Sequence, residues 1–309
     1  MTFLCTLCNS DNIFTVEVVD HKQNSKFPLS ICKQCGLVQQ TNIPTNEELS
    51  LYYSHNYRVD YKKTYTPKLK HIKRAGLAAW DRINFLKECQ VDIKDYCKLI
   101  DIGAGGGEFV YLARKNGFDA SGIEPNNGYS AFAKQEYNVD IMTSMLDDLT
   151  ESSADIVTMF HVFEHMANPL TVMKNIWDVL KDDGLLFIEV PNILQDDASP
   201  HNRFFKAHLY YYSKHTLIAS ASEYFDAIKV DDNGNLRILF RKKALISETI
   251  TLPSHHQVEL IINSFKDKGW FNYLFKGKGL LKPFIKIKRF ANEFKLNNVT
   301  PKELLDTIG

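Results

Sequence analysis

No run of about 18 apolar residues occurs in this 309-residue sequence, which excludes a transmembrane helix on composition alone. The opening residues, MTFLCTLCNS, have neither a basic start nor an apolar core, so a secretory signal is not expected. Charge of one sign is also missing. Lys and Arg number 37 against 37 Asp and Glu, and this balance argues against nucleic acid as a partner. Cysteine is scarce: the six are two Cys-x-x-Cys pairs plus Cys89 and Cys97, which is not an extracellular disulfide framework. The two singles have no partner at metal-ligand spacing and read as packing residues. These absences predict a cytoplasmic protein. What is present, 44% hydrophobic and 24% charged residues, is enough for one full α/β domain and something smaller.

The chain is organised around 98–126, KLIDIGAGGGEFVYLARKNGFDASGIEPN. A short apolar run (Leu99, Ile100, Ile102) leads into a turn of Gly103, Gly105, Gly106 and Gly107. An amphipathic helix follows and stops at Gly117, before a second apolar run that ends at Glu124. Buried strand, helix, buried strand is a βαβ unit of a parallel sheet. The glycines let backbone approach a ligand where a Cβ would collide. Asp101 and Glu124 fall at the carboxyl ends of the two strands, where open α/β sheets bind ligands, and an acid about twenty residues past the glycines suits ribose hydroxyls. A dinucleotide fingerprint needs glycine where Glu108 stands. A carboxylate at that helix start would repel a pyrophosphate, so an NAD-type oxidoreductase is disfavoured.

The pattern Asp101-x-Gly103-x-Gly105-x-Gly107 resembles motif I of the class I S-adenosylmethionine (SAM) methyltransferases. That resemblance implies a Rossmann-like α/β fold with a seven-stranded sheet whose last strand is antiparallel, and SAM as cofactor. It implies that Asp101, Gly103, Gly105, Gly107 and Glu124 hold SAM. A helix from about 128 to 137 and a short strand at 140–142 come next. Met145 and Leu146 then fall where they could sandwich the adenine ring, with Asp147 as a late acidic contact. The strand Ala154–Phe160 follows, and Phe160 at its end completes the cofactor set.

That strand runs directly into His161-Val-Phe-Glu164-His165-Met-Ala-Asn168-Pro169, similar to the segment after the fourth strand in many small-molecule methyltransferases. Three readings stand side by side. His161 or His165 is a general base for a substrate hydroxyl; or His161, Glu164 and His165 bind a divalent metal, as a comparable E-x-x-E-H segment does in the ubiquinone O-methyltransferases; or Glu164 and His165 support the start of the next helix. The inverted zinc-protease motif H-x-x-E-H needs a continuous helix, and a loop after a strand is the wrong place for it. A helix over Pro169–Leu180 ends before Gly184, and a strand spans Leu185–Val190. The loop from Pro200 to Leu217 resembles the H-L-Y-x-F-S segment of sugar and quinone methyltransferases. It offers His208, Tyr210 and Tyr211 to substrate hydroxyls or to a sugar face, with packing as the plain alternative, and Ser213 caps the helix that follows. Phe225–Val230 and Leu236–Arg241, joined by an Asn-Gly turn, form the terminal hairpin.

At the amino end, Cys5-x-x-Cys8 and Cys32-x-x-Cys35-Gly36 stand 23 residues apart. Four thiolates in two knuckles, with short strands at Ile13–Val19 and Phe27–Ile31 between them, predict a zinc ribbon. Its zinc is structural, because four cysteines close the coordination shell. The ribbon, ending in CKQCGLVQ and followed by Tyr52, Tyr53, Tyr57, Tyr61 and Tyr65, resembles the amino-terminal module of the deoxysugar C-methyltransferases and their relatives in surface-polysaccharide clusters. The likeness covers roughly residues 1–240. It departs at the end, where those enzymes carry a further large α/β domain and this chain has about 65 residues.

The expected organisation is a ribbon at 1–45, a tyrosine-rich linker and lead-in helix at 46–90 (apolar at Leu69, Ile72, Leu77, Trp80, Ile83, Phe85 and Leu86), a methyltransferase domain at 91–244, and a helical tail at 245–309. The tail holds nine basic and two acidic residues between Phe265 and Lys295, interleaved with aromatics. Such a segment can lie on an anionic membrane surface, bind a partner, or simply pack with its lysines solvated. The resemblances together imply a SAM-dependent methyltransferase that O-methylates a sugar, as a nucleotide sugar or surface glycan. A small aromatic or quinone-like acceptor is the alternative, and a non-catalytic zinc-ribbon binding protein with a SAM fold is the other class.

Overall fold

The two Cys-x-x-Cys knuckles bracket an antiparallel hairpin in the computed structural model, which describes residues 3–51, 67–91, 97–146, 149, 153–195, 198–267, 269–277, 279–287 and 299–308. Strands β1 (Ile13–Asp20) and β2 (Ser25–Cys32) pair from Ile13 opposite Cys32 to Asp20 opposite Ser25. The Asp20 carboxylate closes the turn by accepting from the amides of Lys22 and Gln23. Strand β3 (Val38–Gln40) adds to β2. The fourth strand of this sheet comes from far along the chain: Tyr210–Tyr211, labelled β9 below, pairs antiparallel with β3. One face of the sheet buries Val18, Phe27, Leu29, Ile31, Val38 and Tyr211 together with Ile261, and burial of this kind contributes about 25 cal/mol per Å² of apolar surface.

The main sheet has seven strands in the order β10-β11-β8-β7-β4-β5-β6. After β3 the elements in chain order are α1 (Asn46–Leu51), α2 (Leu69–Glu88), β4 (Lys98–Ile102), α3 (Glu108–Lys115), β5 (Asp119–Ile123), α4 (Asn127–Tyr137), β6 (Ile141–Met142), β7 (Ala154–Phe160), α5 (Pro169–Val179), β8 (Leu180–Val190), β9 (Tyr210–Tyr211), α6 (Lys214–Ala221), β10 (Phe225–Asp231) and β11 (Leu236–Lys242). Strand β4 pairs parallel with β5 on one side and β7 on the other, and its Leu99, Ile100 and Ile102 are buried, as a two-sided parallel sheet requires. The sheet closes on an antiparallel pair, β10 with β11, whose turn holds Gly234 at φ +108°. This is the seven-stranded, Rossmann-like arrangement with an antiparallel end that the sequence implies.

Two elements differ from expectation. Strand β8 begins at Leu180, not Leu185, with Gly184 inside it; a Cβ there would sit 2.8 Å from the Lys181 carbonyl, so only glycine allows the bend. In α2 the buried residues are Ile72, Gly76, Ala79, Ile83, Phe85 and Leu86, while Leu77, one residue off that stripe, is exposed. The tail is helical in α7 (His255–Asp267) and α8 (Pro301–Asp306). Ile261 of α7 joins the core of the small sheet. Thr300 and Glu303 cap α8 reciprocally, and Gly76 of α2 admits Leu305 at a distance that a Cβ would block.

Two compact units interleave along the chain. One comprises Met1–Pro44, Phe160–Trp177 and Phe187–Lys286, the other Thr45–Met159, Asp178–Leu186 and Ile287–Gly309. Among the described residues no helix is long and apolar enough to cross a membrane. The tyrosines at 52, 53, 57, 61 and 65, and Asp147, lie outside the described residues.

Candidate active site

The glycine turn after β4 takes the path its sequence predicts. Gly103, Gly105 and Gly107 have φ of +74°, +57° and +82°, a conformation that L side chains rarely adopt. The amides of Gly103 and Ala104 both donate to the carbonyl of Ile123, tying the turn to the end of β5. Glu124, the next residue, accepts from the Gly105 amide at 2.9 Å and from the Asn126 amide at 3.1 Å. Its carboxylate is therefore fixed in orientation beside the turn. Asp101 is buried, and its Oδ1 accepts from the Thr158 hydroxyl at 2.6 Å. Burial pushes its pKa up to about 7, helped by the charge of Glu124 and opposed by the Thr158 bond and Arg82. Glu108 opens α3 with its carboxylate beside Gly106: a Cβ at Gly106 would lie 2.8 Å from its Oε1. A negative group therefore occupies the helix start that a pyrophosphate would need. Leu146 is buried and Met145 partly so. Fixed acids beside a left-handed glycine turn fit the ribose and amino-acid parts of SAM, and Met145 and Leu146 are of a type that suits its adenine.

In the other unit, β7 gives way to His161, a non-glycine residue at φ +57°. Such strain persists where surrounding structure over-determines it, and here the His161 amide is held by the Glu189 carbonyl at 2.8 Å. Both ring nitrogens face carboxylates. Nε2 lies 3.1 Å from Glu189 Oε1, and Nδ1 lies 3.5 Å from Glu164 Oε1. A ring between two acceptors is best satisfied with both nitrogens protonated. Burial works against that charge, but Glu164 and Glu189 outweigh it and push the His161 pKa up to about 9. Glu189 is held in turn by Arg237 Nε at 2.9 Å and Asn235 Nδ2 at 3.0 Å.

Glu164 is buried within a single turn at Phe163–His165, and neither of its oxygens has a hydrogen-bond partner among the described residues. Although burial favours the neutral acid, His161, His165 and His208 bring its pKa down to about 2. The buried His165 ring donates Nδ1–H to the Ala207 carbonyl at 2.7 Å, which leaves Nε2 to accept a proton, 3.9 Å from Glu164 Oε1. The His208 ring meets His165 edge-on, and burial together with the His165 charge lowers its pKa to about 3. Ligand atoms of Glu164, His165 and His208 lie within 4.8 Å of one another.

A family model for the methyltransferase domain matches residues 66–224, just over half of the chain. The chain belongs to the methyltransferase-domain family. Among curated relatives, the ubiquinone biosynthesis O-methyltransferase of Coxiella burnetii is 27% identical over 136 residues, 42% of this chain and 53% of that protein. The protein of the same name from Acinetobacter baylyi is 29% identical over 104 residues, 31% of this chain and 44% of its own length. The chain thus spans about half the length of the curated relatives it matches. Solved structures similar to it include a SAM-dependent methyltransferase from Aquifex aeolicus (18% identity, 57% of this chain and all of that one, TM-score 0.46). Another is a putative SAM-dependent methyltransferase from Listeria monocytogenes (15% identity, 55% and 99%, TM-score 0.45).

Within the methyltransferase domain, the structure brings His161, Glu164, His165 and His208 together in one unit, and Asp101, Gly103, Gly105, Gly107 and Glu124 in the other. Phe160 is buried edge-on against Phe187. Tyr210 and Tyr211 follow the packing alternative. They form β9, both rings are buried, and both hydroxyls are engaged internally. Tyr210 donates to the Ala167 carbonyl at 2.9 Å, and Tyr211 donates to the Phe205 carbonyl at 2.8 Å. Sheet pairing and these bonds explain their aromatic character without an acceptor.

Glu189, Asn235, Arg237 and the Ala207 carbonyl were not foreseen. The signal for Glu189 was a carboxylate in the otherwise apolar run LLFIEV; the Ala207 carbonyl has none, because a backbone acceptor leaves no mark on the residue type.

The four ribbon cysteines gather as their spacing predicts. Cys5 and Cys35 sulfurs are 3.5 Å apart and those of Cys8 and Cys32 3.6 Å. The edge of a tetrahedron with 2.3 Å metal–sulfur bonds is about 3.8 Å. Asn9 and Gly36, each just after a knuckle, share the left-handed conformation and donate their amides to the Cys5 and Cys32 carbonyls.

Proposed function

We propose that this chain is a SAM-dependent methyltransferase that O-methylates a sugar hydroxyl, with His165 as general base. The observation that carries the reading is the His165 Nδ1–H bond to the Ala207 carbonyl beside the buried Glu164 carboxylate. A base must be correctly oriented and stabilised once it takes the proton, and the Ala207 carbonyl and the Glu164 carboxylate supply these two conditions. His161 is charged at neutral pH, so its role is to hold Glu164 ionised rather than to accept a proton. Asp101, the glycine turn and Glu124 hold SAM, with Met145, Leu146 and Phe160 as the apolar contacts. SAM, when bound, supplies an electrophilic sulfonium methyl. The chain's own task is to position the acceptor hydroxyl and remove its proton. His208, kept neutral, can donate to or accept from that hydroxyl.

The likeness of the ribbon to that of the deoxysugar C-methyltransferases supports a sugar in a polysaccharide pathway. The ribbon would carry one structural zinc on Cys5, Cys8, Cys32 and Cys35, supported by the tetrahedral sulfur spacing. A second reading, a small aromatic or quinone-like acceptor, is supported by the two ubiquinone O-methyltransferases. The test is calorimetry with SAM, followed by methyl transfer to nucleotide sugars and to catechols. No SAM binding at millimolar concentration overturns the reading, and turnover of catechols alone moves the acceptor to the second class.

A further inference from the structure

The tail absorbs much of the apolar surface that this chain leaves in water. Of the sixteen large hydrophobic residues exposed among those described, seven fall between Trp270 and Ile285. Trp270, Phe271 and Phe275 come from the first half of this stretch, with Phe271 and Phe275 in ring contact at 4.9 Å. Leu280, Leu281, Phe284 and Ile285 come from the second, and Phe284 is 71% exposed. Exposure of this density is uncommon on a protein that meets only water.

The segment is held, not loose. The Trp270 ring packs edge-on against His201 and Tyr273, and the chain doubles back at Gly279, where a Cβ would lie 2.6 Å from the Tyr273 carbonyl. In the sequence, 268–292 contains Lys268, Lys276, Lys278, Lys282, Lys286, Lys288 and Arg289 and no acidic residue. Because the whole chain balances, the remainder is seven charges negative. In the helical turn at 282–287, a step of about 100° per residue sets Phe284 roughly opposite Lys282 and Lys286.

We infer that the residues 269–277 and 279–286 form a docking surface for an anionic lipid bilayer. A rigid protein partner would call for a groove or an uninterrupted helix face. This surface is assembled from short helical turns at 272–276 and 279–287, interrupted at Gly277, which a fluid interface accommodates without matching its shape. Indole and phenol rings settle at the headgroup level, aliphatic side chains go below it, and lysines reach back toward lipid phosphates. The uniform positive charge selects anionic headgroups, and the negative remainder of the chain turns this face, not another, toward them.

Flotation of the full chain with vesicles tests this. The chain is expected to float with vesicles of equal parts phosphatidylcholine and phosphatidylglycerol, not with phosphatidylcholine alone. It should be released in about 1 M salt, where the screening length falls to about 3 Å. Phe271→Ser with Phe284→Ser should weaken binding about tenfold or more, and Phe284→Ser alone, at an exposed ring, gives a variant whose folding is not at issue. Lys282→Gln with Lys286→Gln should weaken binding and flatten its salt dependence. Unchanged flotation of the phenylalanine variants overturns the inference. So does binding of a DNA duplex in preference to vesicles, or a dimer that Phe284→Ser converts to monomer without any vesicle binding.

Discussion

The His165 ring donates Nδ1–H to the Ala207 carbonyl across 2.7 Å. A carbonyl can only accept, so this bond selects the neutral tautomer whose Nε2 takes a proton. His165→Ala is therefore expected to lower kcat by about 10²–10⁴-fold with SAM affinity unchanged. His161→Ala, which removes a cation rather than a base, should cost less kcat and shift the pH profile. Steady-state kinetics with SAM calorimetry separates them, and equal losses with unshifted profiles would refute the division of roles.

His161 also predicts how stability varies with pH. Its pKa rises from 6.5 to about 9 on folding, so its contribution is complete below 6.5 and is lost as pH climbs through 9. His161→Gln should then be most destabilising near pH 6 and indistinguishable from wild type above about pH 9. Thermal melts across that range check this, and a destabilisation that persisted at high pH would show that packing, not charge, is lost.

Asp101 shifts in the same direction as His161, through burial rather than through ion pairs. A carboxyl moved from 3.8 to about 7 favours folding only while protonated and opposes it progressively as pH rises through 7. Asp101→Asn keeps an oxygen for the Thr158 hydroxyl, so the variant without cofactor should gain stability relative to wild type at pH 8 and lose that gain near pH 4. Urea titrations at the two pH values give the measurement; the same variant should bind SAM more weakly.

The ribbon is expected to contain about one zinc per chain by elemental analysis, and a chelator should expose 1–44 to proteolysis. Gly36→Ala would place a Cβ 2.7 Å from Ile261 Cδ1 at a backbone φ of +76°. A cost of about 1–2 kcal/mol for the left-handed conformation is expected, seen as a lowered midpoint in denaturant.

Local signals in the sequence explain which features could be read from it. The β4–α3–β5 stretch was legible because buried runs and glycines encode it within thirty residues, and the β10–β11 hairpin because Asn233-Gly234 demands its turn. The cysteine knuckles announced their cluster by spacing. What was not legible is long-range. Two tyrosines pair with Val38 and Gln39 from some 170 residues away, and a two-residue strand has no period to detect. Leu77 looked like core because it is apolar, but its neighbour Gly76 occupies the packed position. Glu189 and Arg237 form a pair that neither local sequence reveals.

Strand β9 gives the ribbon a mechanical consequence. Gln40 donates its side-chain amide to the carbonyls of Lys206 and His208, its own backbone amide to Leu209, and Asp20 accepts from the Lys206 amide. Those bonds clamp the peptide on either side of Ala207. The carbonyl that sets the tautomer of His165 is thus fastened to the amino-terminal sheet. Deleting residues 1–44 would leave Tyr210–Tyr211 as a bare edge and let the Ala207 carbonyl swing. The small module is in effect the jig in which the His165 ring is held.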